Sequence, residues 1–133
     1  MIHAENLTKK YSQQTVLDIA SLEIPKGQSF GLVGNNGAGK TTLFSLLLDL
    51  IEPTTGQITS GGVPVRESED WKPFTSAFID ESFLIGYLTP EEYFYFIGEL
   101  RGQSRADVDA LLAGFEDFFH GEIMGQKKYL QDL

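Results

Sequence analysis

The sequence predicts an α/β fold, and three observations carry the prediction. Residues 34–41 read GNNGAGKT between an apolar run and a helical pattern; the first half is built of short apolar runs set off by turn residues; the second half carries two capped helix starts. A chain of 133 residues suits one domain and can bury roughly two-thirds of its unfolded surface. That domain spans 1–133, with a core and β region over 1–82 and a helical portion over 83–133.

The elements follow in order. IHAENL, TVLDIASLEI and QSFGLV read as strands, bounded by Lys9-Lys10 and by the turn Pro25-Lys26-Gly27. After Lys40, residues Leu43, Leu46, Leu47 and Leu50 form one helical face and Phe44, Leu48 and Ile51 another, which predicts a helix surrounded by protein and ended by Pro53 and Gly56. GQITSGGVPV reads as a hairpin around Gly61-Gly62, followed by the charged loop RESEDWK and a short strand, TSAFI. TPEE pairs a capping Thr89 with Pro90 and Glu92, so a helix starts there and runs to about Arg101, where Gly102 stops it. SRAD repeats the start at Ser104, and Val108, Leu111, Leu112, Phe115, Phe118 and Phe119 form an apolar stripe on a second helix.

Composition narrows the function classes. The formal net charge is -9, with five acids and four bases before residue 61 and fourteen acids and six bases after it. Such a surface repels a nucleic-acid backbone and anionic lipid alike, and Lys40 stands out as a local exception. No cysteine is present, so neither a disulfide framework nor a thiolate metal site is available. No basic leader precedes an apolar stretch, and no run reaches the ~18 apolar residues of a membrane helix. A cytoplasmic chain without direct membrane insertion is expected, joined to the membrane only through a partner protein.

GNNGAGKT matches the spacing G-x-x-x-x-G-K-S/T at every required position, after an expected strand and before an expected helix. Gly34, Asn35, Asn36, Gly37, Ala38 and Gly39 would wrap a phosphate with backbone amides, because side chains at the glycines would hold the backbone away. The helix start adds its positive dipole end, and Lys40 adds a mobile charge for the terminal phosphates. Thr41 is placed to ligate magnesium, and Thr42 to donate to a phosphate oxygen. A turn that merely joins strand to helix explains less, since strand, loop, lysine-threonine pair and helix coincide.

The words around the loop extend the signal. LTKKYSQQTVLDIASLEIPKGQSFGLVGNNGAGKTTLFSLLLDLIEPTTGQITSGGVPV resembles the start of the ATP-binding subunit of an ABC transporter, and LTPEEYFYFIGELRG resembles that family's helical subdomain. The resemblance implies a phosphate-loop NTPase core of the ABC type with an antiparallel β region and the start of an α-helical subdomain. It also implies ATP and Mg2+ as ligands, a transmembrane permease subunit as partner, and a second ATP-binding subunit in the complete protein. Tyr11 corresponds to the aromatic that stacks on adenine, and Val16 to the apolar residue lining base and ribose. A half-buried strand-end tyrosine and a core valine are the plainer alternatives.

The family's glutamine, which meets magnesium and the attacking water, falls here on Asp80 or Glu81 in AFIDES, and neither is glutamine. Either carboxylate can serve as a second magnesium ligand through oxygen. AFIDE also resembles a Walker B strand, but it precedes the helical segment, where the family has its glutamine loop; a plain strand-end acid pair is the third reading. An L-S-G-G-Q signature, a later Asp-Glu strand and a switch histidine do not occur in these residues, and His120 reads as a helix C-terminal residue. The expectation is a truncated ABC domain ending just before its signature, which binds nucleotide without efficient hydrolysis. The rival is a stand-alone regulatory nucleotide-binding module; a GTP switch lacks its N-K-x-D motif. The YFYFIG cluster at 93–98 reads either as core or as part of a docking surface.

Overall fold

The computed structural model describes residues 1–133. The chain divides into two compact units, Met1–Ile79 and Asp80–Leu133, each taken by itself below.

In the first unit β1 (Ile2–Tyr11), β2 (Gln14–Ile24), β3 (Thr55–Ser60) and β4 (Val63–Pro64) form one antiparallel sheet in the order β2-β1-β3-β4. β1 continues through Lys9-Lys10, which the sequence suggested as a boundary: ladder pairing of Lys10 with Thr15 and of Tyr11 with Gln14 holds the lysines in the strand. Gly61 and Gly62 both have positive φ, 58° and 79°, and close the β3–β4 hairpin on a two-residue turn of the kind that suits right-handed strand twist.

Two irregularities set which residues face inward. At Asn6, in the left-handed region at φ 48°, the β1–β3 register shifts, so the inward series runs Ile2, Ala4 and then Leu7. Opposite Lys9 and Lys10 the β2 register steps from Leu17 to Thr15 and skips Val16. Both residues thereby take the α1 side, Leu17 in the core and Val16 at its margin.

α1 (Lys40–Leu47) packs Leu43 and Leu46 on that sheet face with Ala4, Leu7, Leu17, Ile58, Val65 and Trp71. The helix ends before Pro53. Asp49 adopts φ 54°, its N–H donates to Leu46 and that of Leu50 donates to Ser45, the two bonds of a Schellman motif. Leu47, Leu48 and Ile51 pack part-buried against this cluster, whereas Leu50 and Phe44 remain 51% and 47% exposed, so the helical segment is not surrounded on all sides in this chain.

The expected strands at 28–33 and 75–79 do not form. Their composition suits a pleated surface, but neither segment enters the sheet; Val33 is 92% exposed and Phe78 72%. Lys72–Phe74 instead makes a 3-10 turn before the second of these segments.

In the second unit α2 (Pro90–Leu100) and α3 (Arg105–Ala113) start on the expected caps, both complete: Thr89 with Glu92, and Ser104 with Asp107. Gly102 at φ 72° ends α2. Gly98 allows Val108 to approach α2 closely, and the Tyr95 hydroxyl donates to Asp109 at 2.6 Å. The expected single second helix is broken. The N–H groups of Gly114 and Phe115 donate three residues back, tightening the end of α3, and α4 (Glu116–Phe119) follows with His120 as its left-handed C-cap. The break scatters the apolar stripe: Val108 is buried, whereas Leu111, Phe115 and Phe118 stay about half exposed or more. Within 93–98, Gly98 is buried, while Phe96 and Ile97 are exposed.

Candidate functional site: the phosphate loop

The loop sits between an unpaired approach segment and the first turn of α1. Its turn is closed by the Ala38 N–H, which donates to Asn35 at 3.0 Å, and Gly37 and Gly39 take φ of 84° and 98°. Glycine is required most strictly at 39: a Cβ there would lie 2.7 Å from the Val16 carbonyl oxygen and 3.2 Å from Leu17. The loop is thus seated directly on β2 at its bulge.

Gly39 caps α1 without a side-chain acceptor, and the N–H groups of Lys40, Thr41 and Thr42 donate to no acceptor of the chain. Free donors at a helix start, reinforced by the dipole, suit an anion. The Lys40 ammonium donates to the carbonyls of Gly34 and, at 3.0 Å, Asn35, which folds it back along the loop beside those amides. Val16, Asn36, Gly37, Gly39, Lys40, Thr41 and Thr42 line one open cleft of about 450 Å³. Its donors, the Lys40 ammonium and the N–H groups of Lys40, Thr41 and Thr42, have the chemistry that suits an anion. No group of three or more His, Cys, Asp or Glu residues is placed to hold a metal alone. The Thr41 hydroxyl oxygen is of the hard-ligand type that could serve a magnesium ion.

The other sequence-derived residues divide. Tyr11 ends β1, is 53% exposed and does not line the phosphate cleft. The Lys9 ammonium lies 5.0 Å from its ring centroid, a neighbour that motif reading missed and that simple strand alternation, i to i+2, would have disclosed. Asp80 and Glu81 open the second unit. Asp80 accepts from the Ser82 hydroxyl and, at 2.7 Å, from the Ser82 N–H; these bonds hold its carboxyl below the usual aspartate range. Glu81 lies in the 3-10 turn that Asp80 caps.

Comparison with known proteins accords with this geometry. A family profile described as ABC transporter matches residues 17–129. The chain is similar to the bacitracin transport ATP-binding protein of Enterococcus faecalis, 36% identical over 114 residues, covering 84% of this chain and 37% of that protein. It is also similar to the linearmycin resistance ATP-binding protein of Bacillus subtilis, 35% identical over 109 residues, covering 81% of this chain and 35% of that protein. Among solved structures, the ATP-binding subunit of an ABC transporter superposes with a TM-score of 0.76 at 28% identity, covering 91% of this chain and 51% of that one. The chain thus spans little more than a third of these two curated relatives and about half of this solved subunit. On the profile match, the relatives and the shared phosphate-loop fold together, the chain belongs to the ABC transporter family.

Proposed function

We propose that the chain binds ATP with magnesium: the phosphates on the loop 34–41 and the first turn of α1, the base against Tyr11, and Val16 beside the ribose. The observation that carries this reading is the row of unpartnered N–H groups at Lys40, Thr41 and Thr42, capped by Gly39 and flanked by the Lys40 ammonium. Thr41 is the proposed magnesium ligand of the first unit. When bound, the ion neutralises charge on the phosphates. In the complete subunit, ATP binding and hydrolysis energise transport through a transmembrane partner on the cytoplasmic side, working with a second ATP-binding subunit. These 133 residues contain no L-S-G-G-Q segment, so we assign them binding without efficient turnover.

Calorimetric titration with a non-hydrolysable ATP analogue tests this. Lys40→Ala removes a charged donor and weakens binding about ten- to hundred-fold. Equal affinity in both proteins removes the Lys40 ammonium from phosphate binding. Sustained magnesium-dependent hydrolysis by the pure chain, lost in Lys40→Ala, overturns the assignment of binding without turnover. A second reading, a regulatory module using ATP occupancy alone, predicts the same binding and no effect of an added ATP-binding subunit. Bound ATP trapped by Glu81→Gln favours the Walker B assignment of AFIDE.

A further inference from the structure

Lys9 and Tyr11 stand two residues apart on β1, and alternation from Leu7 places both on the sheet side that faces α1. The Lys9 ammonium lies over the Tyr11 ring at 5.0 Å from its centroid and donates at 2.6 Å to the carbonyl oxygen of Glu52. Glu52 follows α1, in the segment that returns to β3. Lys9 is half-buried and doubly engaged, while Tyr11 is 53% exposed. One ring face is therefore held by a tethered cation, while about half of the residue stays open to solvent.

We infer that Lys9 is a positioning residue for the nucleobase, fixing the Tyr11 ring and polarising it so that a purine stacks on its other face. The inference rests on the reading of Tyr11 as the base platform. Two effects combine. The tether limits the rotamers of Lys9 and, through it, of Tyr11, so less freedom is lost when a base stacks. The ammonium draws tyrosine π density toward itself, which lowers the repulsion between the negative faces of ring and base. Neither effect reaches a ligand that has phosphates and no base.

The test is calorimetry on the 133-residue chain with a non-hydrolysable ATP analogue and, separately, inorganic tripolyphosphate. Lys9→Met is expected to weaken the analogue about two- to five-fold and leave tripolyphosphate unchanged. Lys9→Arg restores binding, because a guanidinium can both stack on the ring and donate to the Glu52 carbonyl. In a Tyr11→Ala background, Lys9→Met adds no further loss. Analogue binding by Lys9→Met that equals or exceeds the parent overturns the inference, as does an equal loss for tripolyphosphate. If Tyr11→Ala itself binds the analogue like the parent, the platform reading fails; if Tyr11→Ala weakens binding and Lys9→Met does not, only the role of Lys9 fails.

Discussion

The position of a Cβ on Gly39 lies 2.7 Å from the carbonyl oxygen of Val16, so the phosphate loop and the bulge of β2 are in backbone contact. Gly39→Ala must move the loop off the strand as well as bear a left-handed torsion that by itself costs an L-residue about 1–2 kcal/mol. Gly37 has a similar torsion, φ 84°, with nothing within 4 Å of its Cβ position. In thermal stability, Gly37→Ala should therefore show the torsional cost alone and Gly39→Ala a larger loss. Equal effects would mean that the contact with Val16 contributes nothing.

Lys40 holds the carbonyls of Gly34 and Asn35, so it also braces the loop it serves. In Lys40→Met, hydrogen exchange measured without nucleotide should speed up across residues 34–39 and stay unchanged in β1. Unchanged exchange in the loop would reduce Lys40 to a phosphate contact only.

Leu7 is fully buried in the cluster that includes Trp71, the single tryptophan. Leu7→Ala should lower stability by about 2–5 kcal/mol, followed in urea by Trp71 fluorescence. Trp71 donates its indole N–H to Val65 at 3.1 Å, so Trp71→Phe leaves a buried carbonyl without that partner and should cost about 1–3 kcal/mol, read by circular dichroism.

The Ser104 hydroxyl and then its N–H hold the Asp107 carboxyl below the usual aspartate range. The folded state binds this proton less readily than the unfolded state, so the contribution is complete above the ordinary aspartate value and fades as pH falls through the lowered one. Helicity of α3 should fall in that acidic window, and Asp107→Asn should remove this component of the pH dependence. An unchanged acid profile in Asp107→Asn would assign the transition to other carboxylates.

Asp80 is held in the same manner by Ser82, and therefore enters the second unit already engaged as a cap. Ser82→Ala should raise the Asp80 carboxyl toward its ordinary value, visible by NMR titration. A retained low value would show that the Ser82 N–H alone suffices.

The sequence by itself determined the features whose causes lie within a few residues. GNNGAGKT, the Thr89 and Ser104 caps, the Gly61-Gly62 turn and the stop at Gly102 were all legible, because capping bonds and positive φ depend on immediate neighbours. The loop's donors were legible for the same reason. Tertiary structure alone decided the two bulges, at Asn6 and Val16, because register is set against a partner strand. It also decided that 28–33 and 75–79 make no ladder, since apolar composition can suit a strand without supplying its neighbour. The placement of Lys9 depended on both: alternation put it beside Tyr11, but only the fold brought Glu52, 43 residues away in sequence, to hold it there.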